Sequence, residues 1–282
     1  MFATLARSWR YAVTSYGMVW SNKRLLLFPI ISGIAALLVL ASFAVPLHNA
    51  WNVAEGAEND AVPVVFWIVL FCYYVVSFFV IVFFNSALVV CAMRSIQNQP
   101  VSVSEGLREA AKRWYAILGW AVVSAVVGVV LRMLESNDKI GHFVAALLGT
   151  AWTALTFFVV PVIVLEHCGP ITAVKRSGST LKATWGTALT GNFSLGLIAI
   201  LLFLPVALVA GVVLWLGFSM GNQAGMVLGI GGAAILVLGF ACLNSAAGTV
   251  FKALLFTYAT GKSLPAAVTA TGFDPEHAFK DA

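Results

Sequence analysis

The sequence predicts an all-α polytopic membrane protein: six transmembrane helices arranged as three helical hairpins, with amphipathic interfacial helices on the cytoplasmic side. Three observations carry that prediction. Apolar residues make up 61% of the chain and charged residues 10%, far from the roughly 25% charged usage of soluble domains, and mean hydropathy is +0.97. Six apolar runs are each long enough, at about 1.5 Å of rise per residue, for a hydrocarbon core of about 30 Å. Fourteen of the 16 Lys and Arg residues fall in segments that this reading puts on one side, leaving Arg132 and Lys139 on the other. That is a positive-inside pattern, and it puts both termini in the cytoplasm. The formal charge of +5 therefore implies attraction to a membrane surface, and no nucleic acid.

The elements follow in chain order within a single membrane domain, 1–282. In the amphipathic segment 2–22, Phe2, Leu5, Trp9, Val13 and Tyr16 recur at helical spacing, while Arg7, Arg10, Lys23 and Arg24 come with no acid. The first span is about 25–47. Ser42-Phe43-Ala44 resembles a signal cleavage site, but the preceding segment is too long and the apolar run too extended, so the span is read as retained. An acidic loop, 55–60, leads to the second span, 62–93, which must tilt or protrude. Pro100 is expected to end it, because proline restricts the residue before it and supplies no amide hydrogen. Ser104 is expected to cap the amphipathic segment 101–113, with Arg108, Lys112 and Arg113 on its polar face. That segment turns directly into the third span, 114–134.

The fourth span, 142–165, contains Pro161, whose missing amide hydrogen bond Thr156 is expected to replace. Glu166-His167-Cys168 and a Gly169-Pro170 elbow close it, and the amphipathic segment 171–187 carries Lys175, Arg176 and Lys182. The fifth and sixth spans, 190–218 and 224–258, are joined by a tight uncharged turn. Gly217, Gly221, Gly225 and Gly229 repeat every fourth residue, and Gly225, Gly229 and Ala233 give the sixth span a small face read as internal packing.

Three stretches, 2–99, 101–169 and 171–261, each read as amphipathic helix, outward span, inward span and elbow, which predicts parallel repeats about a pseudo-threefold axis. Asn85-Ser86-Ala87 returns as Asn244-Ser245-Ala246, followed by a base in each case, Arg94 and Lys252. Asn85 and Asn244 are candidates for polar contacts between helices, and Glu166 and Lys252 lie at the same level, where they can pair. The four cysteines form no disulfide framework and are read as small buried hydrophobes. HExxH, Walker A and CxxC motifs are absent from the sequence, and no enzyme, cofactor or metal site is predicted.

The run LARSW followed by NKRLLLFPIISGIAALLVLASF, with the elbow-and-helix pattern after the second and fourth spans, resembles an uncharacterised family of bacterial six-span membrane proteins, DUF6159. More distantly, the elbow pattern is similar to the membrane-anchor domain of glycerophosphodiester phosphodiesterases. The resemblance implies a multi-pass protein of the bacterial plasma membrane and carries no catalytic residues, and no phosphodiesterase domain accompanies it here. On the residues themselves, the expected function is that of a non-catalytic scaffold or lipid-interacting component. Arg7, Arg10, Lys23, Arg24, Arg108, Lys112, Arg113, Lys175, Arg176 and Lys182 are its candidate contacts to anionic headgroups of the inner leaflet. The alternative is a small-solute transporter or channel, which usually needs an ionisable group near mid-span where this sequence has none. A sealed aliphatic centre favours the first reading and a polar tunnel the second. The sequence leaves open a homo-oligomer or a protein partner.

Overall fold

The computed structural model describes residues 2–55, 64–135, 139–183 and 185–260, and every regular element in them is helical. The chain runs α1 (Phe2–Ser21), a 3-10 turn (Lys23–Leu26), α2 (Leu27–Glu55), α3 (Val64–Ile96), α4 (Val103–Ala111) and α5 (Trp114–Glu135). It continues as α6 (Lys139–Leu155), α7 (Val159–Leu165), α8 (Pro170–Ala183), α9 (Trp185–Ser219) and α10 (Gln223–Ala259). Six helical segments are long and apolar enough to cross a membrane: Lys23–Asn52, Val64–Ile96, Trp114–Glu135, Gly141–Leu165, Phe193–Ser219 and Gln223–Ala259. The acidic loop after Glu55 and the segment from Gly261 onward lie outside the described residues.

Several boundaries differ from expectation for identifiable reasons. The first span does not stop at residue 47: α2 continues through Pro46 to Glu55, and Asn52 and His48, four residues apart on one face, pair at 3.2 Å. The second span ends at Ile96 before proline acts. Asn98 adopts a left-handed φ of 54°, while Asn98 N–H donates to Ser95 O at 3.1 Å and Gln99 N–H to Arg94 O at 2.9 Å, a Schellman-type C-cap. The cap of α4 is Ser102 rather than Ser104, and the two hydroxyls lie 3.0 Å apart.

The fourth span is interrupted. Pro161 has no N–H to offer the carbonyl four residues back, so the helix stops at Leu155, turns through 156–158 and restarts as α7 with the proline in its first turn. Thr156 bonds Trp152 O at 2.8 Å within its own helix. The break itself is bridged by Ser177 of α8, whose Oγ donates to Leu155 O at 2.7 Å and accepts from Phe158 N–H at 3.0 Å.

α3 packs against α2, α5, α7 and α10, and α9 lies along α10. Burial concentrates at one end of the long helices, the end that carries the α3–α4 and α7–α8 elbows: Ser86–Ile96 of α3, Val159–Val164 of α7 and Ala246–Thr257 of α10. Phe158, Ile163, Phe251, Leu254 and Phe256 are fully buried there. The remaining lengths expose apolar side chains such as Leu37, Ile68, Leu208 and Ile235, as helices bathed in lipid must. Cys91 is buried, whereas Cys72 is exposed on the outer part of α3. The small face of α10 is used within the chain. A Cβ on Gly217 of α9 would lie 2.6 Å from Gly229 Cα, so the two backbones touch where both residues are glycine.

Candidate functional site

The elbow end brings together four parts of the chain. α1 lays Ala12, Ser15 and Val19, all buried, against α9 and α10, and Tyr16 donates its hydroxyl to Asn244 Oδ1 at 2.6 Å. At the end of α1, Asn22 donates to Ser95 Oγ at 2.8 Å and Arg24 donates to Val101 O at 2.9 Å, fastening the 3-10 turn to the α3–α4 elbow. Arg94 and Glu105 form an ion pair across that elbow. α4 can lie this close to α3 because residue 106 is glycine: a Cβ there would stand 2.6 Å from Cys91 Sγ and 2.9 Å from Ala87 O.

The candidate headgroup contacts divide by what they touch. Arg108, Lys175 and Lys182 are exposed and Arg113 is half-buried. Lys112 donates to Glu109 at 2.6 Å, and that hydrogen bond holds the Glu109 carboxyl below its ordinary range. Arg176 donates to Glu166 at 3.2 Å. Lys23 sits 5.8 Å from the centroid of the Trp20 ring, a cation–π distance. Arg24 is exposed apart from its bond to Val101. The side chains of Arg7 and Arg10 lie outside the described residues.

The candidate polar contacts fare unequally. Asn244 links two helices. Among the described residues, Asn85 is half-buried with no hydrogen bond, and the neighbouring buried Ser86 Oγ has no partner either. Glu166 and Lys252 do not pair: Arg176, one helix further on, takes the carboxylate, and Lys252 Nζ stands 5.2 Å from the centroid of the Phe157 ring.

A family described as "Family of unknown function (DUF6159)" matches residues 64–264. The chain belongs to that family. No curated protein matches it, and nothing found bears out the more distant likeness to glycerophosphodiester phosphodiesterase anchors. The DUF6159 match contains both elbows, α4, α8 and the centre built from α3, α7 and α10, whereas α1 and α2 precede it. Among the described residues of this DUF6159 protein, no group of three or more His, Cys, Asp or Glu side chains is placed to hold a metal ion.

Sequence reading missed Tyr16, Ser177 and the Arg94–Glu105 pair. Two of these had a local signal. Glu105 follows Arg94 across a proline elbow, where opposite charges on adjoining helices meet, and a polar residue on the apolar side of an amphipathic helix, as Ser177 is, must find a partner there.

Proposed function

We propose that this chain is a non-catalytic, lipid-interacting scaffold of the bacterial plasma membrane, with both termini cytoplasmic and its elbow end resting on the anionic inner leaflet. The sealed centre supports this reading most. Phe158, Ile163, Phe251, Leu254 and Phe256 fill the space between α3, α7 and α10 at the elbow end, with no exposed polar lining among them. The charged residues inside the candidate spans stand within about two turns of a span end, Lys252 being the deepest. Exposed Arg108, Lys175 and Lys182 stand on the segments next to the elbows, where each adds about 1 kcal/mol of attraction to an anionic surface. The positive-inside distribution supports the orientation.

One observation favours the alternative, a small-solute transporter or channel. The fourth span is broken at 156–158, and discontinuous helices commonly form transporter sites. Here the bonds of Ser177 and the Phe157 and Phe158 rings occupy that break.

Native mass spectrometry of gently released protein tests the proposal. Retained anionic lipid that is lost in Arg108→Gln/Lys112→Gln/Arg113→Gln is the expected result. A retained non-lipid solute, with lipid adducts indifferent to those charges, would replace the scaffold reading with transport.

A further inference from the structure

Beside α1 lies an apolar groove of about 730 Å³, within the roughly 300–1,000 Å³ range of ligand sites. We propose that it holds one acyl chain of an anionic phospholipid, whose phosphate group sits at Lys23. The inference rests on the lipid-interacting reading and names a site that the basic elbows do not supply.

The floor and walls follow from how α1 docks. Its buried side faces α9 and α10, while Trp9, Val13 and Trp20 stand on the flank next to that side, 38%, 49% and 69% exposed. Facing them are Leu201 and Leu202 of α9 and Leu243 of α10. From Trp9 to Trp20 the groove follows eleven residues of helix, about 16 Å at the rise of an α-helix, which matches half of a hydrocarbon core of about 30 Å. One leaflet's chain fits that length.

Residue 17 keeps the groove open. Gly17 lines it, and a Cβ built there meets nothing within 4 Å. Any larger residue would project into the space a chain would fill.

Charge selects the head. Lys23 lies over the Trp20 ring that forms one wall, and Arg24 follows it. The first acid in the chain is Glu55, so no carboxylate of α1 or its turn opposes a phosphate at this mouth. Within the lining, the Tyr16 hydroxyl is committed to Asn244.

The test uses full-length protein in nanodiscs containing a small fraction of phosphatidylglycerol with a photoreactive diazirine on its acyl chain, the crosslinks being mapped by peptide mass spectrometry. Label is expected on α1 and on α9 near Leu201 and Leu202. Gly17→Leu, which improves helix propensity and so preserves α1, should remove most of that label. Lys23→Gln should reduce it about fivefold, the effect of one cation near an anionic surface, and a phosphatidylcholine probe should label the groove less than phosphatidylglycerol does. Equal labelling of the groove by both lipids and in both variants would mean ordinary annular lipid and overturn the site. Label absent from the groove yet present around Arg108 and Lys112 would overturn the groove while leaving the scaffold reading in place.

Discussion

Tyr16 ties α1 to the bundle through a single hydroxyl, and that makes it the residue at which the docking of α1 can be probed. Tyr16→Phe removes the bond to Asn244 and is expected to cost about 1 kcal/mol in unfolding experiments. Burial also raises the phenol above its ordinary value of 10.0. Its folded pKa therefore exceeds its unfolded one, so its contribution is complete below pH 10 and is lost as pH rises through the folded value. Wild-type protein should lose stability more steeply above pH 10 than Tyr16→Phe; parallel alkaline profiles would contradict the assignment. At Gly217 the constraint is space. Gly217→Leu must push α9 off α10, because even a Cβ falls 2.6 Å from Gly229 Cα, and a cost of about 1–3 kcal/mol is expected from a lowered thermal midpoint in detergent. The glycine spacing was readable because it repeats locally. The partner of Tyr16 was not, since it lies 228 residues away.

For single elements, the interrupted fourth span shows where local reading ends. Pro161 was visible, and so was the need for a substitute hydrogen bond. The substitute comes from another helix: Ser177 serves Leu155 O and Phe158 N–H together, and the periodicity of residues 142–165 contains no sign of it. Ser177→Ala leaves two backbone groups at the break without that partner, at an expected cost of about 1–3 kcal/mol. Hydrogen exchange at residues 156–159 should quicken in that variant. Unchanged exchange would mean that the break is held by packing alone. Similar physics explains the helix ends. Composition placed α3 to within a few residues, but its stop is set by the left-handed backbone of Asn98, a conformation that the neighbouring proline obscured in the sequence.

The whole molecule has its packed centre at one end. Six apolar runs and the distribution of cations made the spans and their number legible. The one-sided burial was not, because side chains facing lipid and side chains facing the centre are equally apolar, and hydropathy cannot separate them. Ion pairing was only partly legible for the same candidates: Lys112 and Arg176 bring their own acids, while Arg108, Lys175 and Lys182 remain exposed at the surface. Orientation is tested by single cysteines in a background with Cys72, Cys91, Cys168 and Cys242 replaced. Met220→Cys, at the α9–α10 turn, should react with an impermeant maleimide added to intact spheroplasts, and Gln97→Cys, at the first elbow, only after permeabilisation. The reverse pattern would turn the elbow end outward and remove the basis for inner-leaflet contact.

The central claim, selective contact between the elbow end and anionic lipid, is tested most directly in a bilayer with spin-labelled phosphatidylglycerol and phosphatidylcholine. The account predicts a larger motionally restricted fraction for phosphatidylglycerol, with the difference falling in high salt and in Arg108→Gln/Lys112→Gln/Arg113→Gln. Equal restriction of the two lipids at low salt would contradict it.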